Sequence, residues 1–285
     1  MGILLAITAL LAWGLGDFLI QRSTRKFGDW IALFYITVFG AVILFPFAYH
    51  DIKASFTLHA PLLWLAALVI LAAALFDFEA MRVGKISVIE PVMALEIPAV
   101  TILAALAIHE QLNFSQLLLV IGIMLGIFLA STKSAERFKN ISTEKGVWLA
   151  ICGAVCMGTS NFLFGIGSRA TNPIVVNWFT DTFLALVCFG YLATHSRLKD
   201  IAADWKGNKR LIVNVSFFDK LAWVAFSYSM LYIPIAVATG ISEGYVAFAG
   251  VLGLTINREK LKRHQWIGFA VTVISVILLA LVTDR

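Results

Sequence analysis

Residues 86–100 read ISVIEPVMALEIPAV, an apolar run that nevertheless carries Glu90, Pro91, Glu96 and Pro98. A carboxylate at the centre of a lipid-facing helix costs about 2.5–3.5 kcal/mol on insertion scales. A proline inside a helix removes a backbone hydrogen bond and clashes with the preceding turn. Two of each in one segment therefore predict interrupted backbone around a polar site at membrane depth, where irregular backbone is tolerated if it lines a cavity or is covered by protein.

The rest of the chain sets that stretch in a membrane. Its 285 residues are 60% hydrophobic and only 14% charged, with a mean hydropathy of +0.90. Soluble domains run nearer 25% charged. The sequence pI of about 9.2 does not mark a nucleic-acid binder, because the basic residues lie between apolar runs, where a membrane surface accounts for them. Cys152, Cys156 and Cys188 all fall in apolar segments and form neither a disulfide framework nor a zinc spacing. The opening MGILLAITALLAWGLG has no basic region ahead of it and is expected to be a retained first helix.

Runs long enough to cross a bilayer occur at 2–21, 30–49, 61–81, 86–108, 114–131, 146–168, 173–194, 211–232, 234–256 and 266–282, which predicts ten helices. An internal repeat is visible among them. WGLGDFL (13–19) falls on MGTSNFL (157–163) at an offset of 144, and HEQL (109–112) falls on REKL (258–261) at an offset of 149. Gly14 then matches Gly158, Arg25 matches Arg169, Glu110 matches Glu259 and Gln116 matches Gln265. Each unit holds five spans, an odd number, so the second must enter the membrane from the opposite side. The expected architecture is an all-α integral membrane protein of two inverted five-helix repeats, residues 1–131 and 146–285, joined by the loop 132–145, around a central cavity.

Two five-helix halves, AWGLGDF in the first helix and the HEQL and REKL glutamate turns resemble the drug/metabolite transporter superfamily, in its EamA-like branch. The resemblance spans nearly the whole chain. It implies a ten-helix basket that works by alternating access. The glycine usual before the glutamate turn is replaced by Ile108 and Asn257. Members of the family are commonly drawn with both termini inside the cell. The charges of this chain predict the opposite: 18 Lys and Arg fall in the odd-numbered connections and 3 on the other side, and cytoplasmic loops are the ones enriched in them. A cell-membrane protein with both termini outside is expected.

Ionisable residues at membrane depth are functional hypotheses by default. Glu96 and Glu243 fall near the centres of the fourth and ninth segments, which are equivalent in the repeat, although Glu96 itself aligns with Tyr245 and Glu243 with Ala94. Both are candidates for binding solute and for exchanging a proton, with a structural, hydrogen-bonded acid as the alternative. Asp17, Asp77 and Glu90 lie nearer the basic loops and are further candidates for proton coupling, the alternative being pairs with loop cations. Asp181 is a candidate solute ligand. Asp219 and Lys220, adjacent and about 100° apart on a helix, need charge partners on other helices. Glu79 has Arg82 three positions on, on the same helical face. Pro91, Pro98, Gly240 and Gly244 are the expected helix breaks. A site rich in acceptors suits an amine-bearing or cationic solute, such as a metabolite, amino acid or drug. Trp13, Trp178, Tyr228 and Tyr245 are candidates to face it, each cation–π contact contributing about 0.5–2 kcal/mol, unless they are plain packing residues. In the fifth segment Gly122 and Gly126 have a GxxxG spacing, expected to pack the halves together within a monomer.

The leading expectation is thus a proton-coupled secondary transporter needing no cofactor and no metal, whose partners are a small solute, protons and lipid. A lipid-carrier flippase on the same fold is the alternative. An integral-membrane enzyme ranks below both, since HExxH, paired histidines and a Walker lysine are missing from the sequence.

Overall fold

The computed structural model describes residues 1–83, 89, 92–131, 146–245, 248 and 262–283, leaving aside the side chains of Asp17, Phe18, Gln21, Met81 and Ser131. Among the described residues the regular structure is helical: α1 (Gly2–Phe27), α2 (Asp29–Val83), α3 (Glu96–Ala107), α4 (Phe114–Ser131), α5 (Val147–Ala170), α6 (Pro173–Thr194), α7 (Leu198–Ser229), α8 (Ile235–Ser242) and α9 (Arg263–Thr283). Five stretches within α2, α5, α6, α7 and α9 are long and apolar enough to cross a membrane, and α1, α3 and α4 contribute shorter apolar runs.

Two of these helices contain more than one piece. The 55 residues of α2 would extend about 80 Å at 1.5 Å per residue, far beyond one bilayer crossing of about 30 Å. The chain turns at His59, whose φ of −128° and ψ of 16° leave the helix. Pro61 supplies the reason: it cannot donate to the carbonyl of Thr57, and its ring clashes there. The 32-residue α7 bends likewise at Asn208 (φ −139°, ψ 26°), which sets a short stretch from Leu198 apart from the deep span. Lys26 donates to the Asn208 side chain and the Tyr35 hydroxyl to the carbonyl of Ile201, tying that short stretch to α1 and α2.

Packing positions the interior. α2 runs along α6 and α5, α1 lies on α7 and α8, α3 lies on α5 and α8, and α4 pairs with α9. The α4–α9 seam is made of small residues. Gly122 meets Ser275, and Gly126 meets Thr272 and the carbonyl of Gly268. The two helices start alike: Gln116 accepts from the backbone N–H of Asn113 at 3.0 Å, and Gln265 accepts from that of Lys262 at 3.0 Å. Each then donates across the seam, Gln116 to Thr283 and Gln265 to the carbonyl of Ala130. Outside the seam both helices present large apolar residues such as Phe114, Leu118, Leu125, Trp266, Ile274 and Leu281, the composition that lipid contact requires.

Candidate functional site

The backbone breaks come first, because they place the acids. Val92 and Met93 are helical, Ala94 and Leu95 form a turn, and α3 begins at Glu96. Across that turn the carbonyls of Val92 and Ala94 accept from residues three positions on, Leu95 at 3.1 Å and Ile97 at 3.3 Å. Pro98 sits in the first turn of α3; it cannot donate to the carbonyl of Ala94 and its ring crowds that carbonyl, and the interruption falls there, at Ala94 and Leu95. Gly240 departs from the expected break: it is an interior residue of α8 facing Val120, Ile123 and Leu279. Helix α8 ends at Ser242 with Glu243 as its cap, and Gly244 forms the turn beyond. Glu90 and Pro91 lie outside the described residues.

Glu96 thus opens one half-helix and Glu243 closes another, and the two side chains meet. The Glu96 side chain lies close to Glu243 and to Asn161 of α5, near enough for side-chain hydrogen bonding. Both acids are only 6% exposed and Asn161 is 3% exposed. A carboxylate only accepts hydrogen bonds, so a carboxyl–carboxyl bond needs one proton held between the two. Gly158, one turn before Asn161, admits the approach. A Cβ there would stand 2.6 Å from the carbonyl oxygen of Glu96 and 2.7 Å from the Ala99 side chain.

Tyr245, two residues beyond Glu243, belongs to an aromatic group. Trp13 of α1 meets Trp223 edge-on at 5.3 Å between centroids, Phe226 at 5.3 Å and Tyr245 at 6.5 Å. Phe164 of α5 adds a fourth wall at 4.8 Å from Trp223. Trp178 and Tyr228 are not part of this group. Trp178 packs on Phe45 at 5.9 Å, and Tyr228 lies toward Asp51 and Tyr232.

A second polar cluster joins α6 to α7. Lys220 donates to Asp181 at 2.6 Å, and its ammonium also stands 3.7 Å from Asp219. Lys220 finds its close partner on another helix, while the adjacent aspartate is a marginal one. The second oxygen of Asp181 has no hydrogen-bond partner among the described residues. It presses on Gly40 of α2, where any side chain would collide with Asp181 and Lys220. Elsewhere, Glu79 receives two hydrogen bonds from Arg82 at 2.7 Å, and α2 passes Gly153 of α5 at the backbone of Asp77. Helix α1 carries Asp17, whose side chain is outside the described set.

Sequence reasoning missed Asn161, Trp223, Phe226 and Phe164. Asn161 had a usable signal, since it is the repeat mate of Asp17 in GDF and SNF. Among the described residues there is no group of three or more His, Cys, Asp or Glu side chains fit to hold a metal ion.

Apolar helices enclosing a carboxyl pair on interrupted backbone, with an ion pair buried nearby, define a multi-pass membrane protein with a polar site at depth. Comparison with known proteins makes the class specific. The model of the EamA-like transporter family matches residues 1–132 and again residues 144–281, and the chain belongs to that family, whose members are membrane transporters of small solutes. A protein of known crystal structure shares the fold at 14% identity, with a TM-score of 0.80 over 100% of this chain and 98% of that one. No curated protein matches the chain.

Proposed function

We propose that this protein is a proton-coupled secondary transporter of a small amine-bearing or cationic solute, working as a monomer by alternating access. The observation that carries this reading is the carboxyl pair of Glu96 and Glu243 with Asn161. One proton joins the two acids. A cation arriving between them competes with that proton, so solute and proton exclude each other at one place, which is the elementary requirement for exchange. The half-helix ends favour the same chemistry. The C-terminal end of α8, where Glu243 sits, attracts cations, and the N-terminal end of α3 supports the charge of Glu96. Trp13 and Tyr245 supply the neighbouring π faces.

Alternating access rests on the inverted repeat, and cross-half contacts support it. Gly14 lies against Phe248, and its repeat mate Gly158 lies against Ala99; residues 248 and 99 are themselves 149 apart. The contacts of α1 with α7 and of α5 with α2 correspond in the same way. The loop charges favour both termini outside. A reporter fused to the C-terminus that is active only in the cytoplasm stays silent on this reading, and strong activity reverses the orientation.

The test of the mechanism is uptake into proteoliposomes, normalised to folded protein, with and without an imposed pH gradient. A thermal-shift screen of amines and amino acids selects the solute, since a ligand at 100 times its Kd stabilises by about 2.7 kcal/mol. Glu96→Gln keeps most of the hydrogen bonding and removes titration, so uptake loses its dependence on the gradient. Glu243→Gln does the same or weakens cation binding. Unchanged gradient dependence in both variants rejects the mechanism.

A further inference from the structure

The glutamate turn of the first half takes no part in the carboxyl site, yet it makes a dense set of bonds. Glu110 follows α3, and its backbone N–H returns to the carbonyl of Ala104 at 3.1 Å. One carboxylate oxygen accepts from the backbone N–H of Ile235 at 2.6 Å, capping the first residue of α8. The other accepts from Arg169, the last basic residue of α5, at 3.0 Å. Arg169 in turn donates to the carbonyls of Met230 at 2.8 Å and Ile233 at 3.1 Å, in the link between α7 and α8. The same end of the bundle holds the N-terminus, where Gly2 packs on Tyr232 and Ile233.

We infer that Glu110 and Arg169 form a releasable latch that closes this end of the transport path and seats α8. The inference rests on the alternating-access reading above. Three features carry it. Glu110 belongs to the first half of the chain and its side-chain partners among the described residues, Arg169 and Ile235, belong to the second, so the pair spans the boundary along which the halves must part. The Arg169 side chain is 34% exposed and that of Glu110 14% exposed, so water can take over their bonds when they separate, unlike those of the sealed Lys220 pair. Finally, α8 has only eight residues, about 12 Å of helix, with the latch at its first residue and Glu243 as its far cap. Release of Ile235 frees the element that carries half of the carboxyl pair. Glu110 and Arg169 are positioning residues in this scheme and touch no solute.

The test uses a cysteine reporter midway along α8. Thr239→Cys is close to isosteric at a fully buried site, and it is made in a protein whose Cys152, Cys156 and Cys188 are replaced by serine. A membrane-impermeant maleimide is applied in proteoliposomes from the side bearing Arg169. The latch predicts slow labelling in the parent. Labelling rises roughly tenfold in Glu110→Gln and Arg169→Gln, the scale of one lost charge-assisted hydrogen bond. Arg169→Lys, which keeps the charge but loses the forked donors, gives an intermediate rate and serves if the other variants fold poorly. Asp51→Ala removes a hydrogen bond to Asn172 at an exposed site and leaves the rate unchanged. Equal labelling in the parent and all Glu110 and Arg169 variants overturns the latch while leaving the carboxyl mechanism standing. A reporter that stays unreactive from both sides in every protein overturns the latch together with alternating access. A rise as large in Asp51→Ala reduces the effect to general loosening and overturns the latch alone.

Discussion

Replacing Gly158 by alanine tests whether the close approach of α5 to α3 holds the carboxyl site together. The new Cβ would stand 2.6 Å from the carbonyl oxygen of Glu96, 2.7 Å from the Ala99 Cβ and 3.1 Å from the backbone nitrogen of Val100. Two of these atoms are backbone and the third is attached directly to it, so no side-chain rotation relieves the clash. Restoring an ordinary 3.4 Å contact requires the helices to part by roughly 0.8 Å. A polar contact that opens by that amount falls outside hydrogen-bonding distance, so Asn161, three residues on along the same face, moves out of reach of Glu96. Overpacking costs about 1–3 kcal/mol, and exchanging glycine for alanine inside a helix returns up to about 1 kcal/mol. The net loss is then about 1–2 kcal/mol. Gly14→Ala is the matched control. The atoms nearest its Cβ belong to the ring of Phe248, a side chain rather than backbone, so the propensity gain offsets most of the cost. Thermal unfolding in detergent, together with gradient-dependent uptake, reads both effects. Equal stability of the two variants, or a Gly158→Ala protein with normal coupling, refutes the reasoning.

Three further outcomes follow from particular contacts. Lys220→Met leaves Asp181 and Asp219 buried without their ammonium and costs about 3–5 kcal/mol; adding Asp181→Asn recovers part of that loss, a non-additivity visible by comparing the unfolding midpoints of single and double variants. Pro98→Ala restores a donor for the carbonyl of Ala94 and slows turnover while leaving binding largely intact, because it straightens the turn at Ala94 and Leu95; normalised uptake equal to the parent contradicts this. His109 holds a left-handed backbone at φ 53°, which a side chain occupies at a cost of about 1–2 kcal/mol, so His109→Gly raises thermal stability by about 1 kcal/mol, and a lowered midpoint contradicts this.

How far the sequence could be read depended on whether a property was periodic or positional. The start of α4 at 114 and the full extent of α6 followed from apolar runs bounded by polar turns. The matched Gln116 and Gln265 appeared in the sequence as repeat mates and in space as the same cap. Glu96 and Glu243 were found because charge is conspicuous among apolar neighbours. Asn161 was not, because an uncharged amide in an apolar helix looks like filler until its partner is known. Trp178 and Tyr228 were chosen by residue type, which says what a ring can do but nothing of where it packs; Trp178 packs on Phe45 and Tyr228 lies toward Asp51 and Tyr232. Gly240 was misplaced for a local reason: a glycine in an apolar run reads as a break, yet a helical glycine can serve packing alone.

The small-residue seam between α4 and α9 has a consequence for the surrounding lipid. Helix α4 has 18 residues and α9 has 21, about 27 and 31 Å of rise, close to the hydrocarbon thickness. Helices that need to span a thicker or thinner bilayer usually adjust by tilting against their neighbours. Here Gly122 against Ser275, and Gly126 against Thr272 and Gly268, leave no layer of flexible side chains to absorb a change of angle, and the glutamine bridges pin both ends. The outer wall of the protein therefore offers the membrane one fixed length, and acyl-chain length becomes a setting to which this wall cannot adapt: the bilayer must deform to meet it.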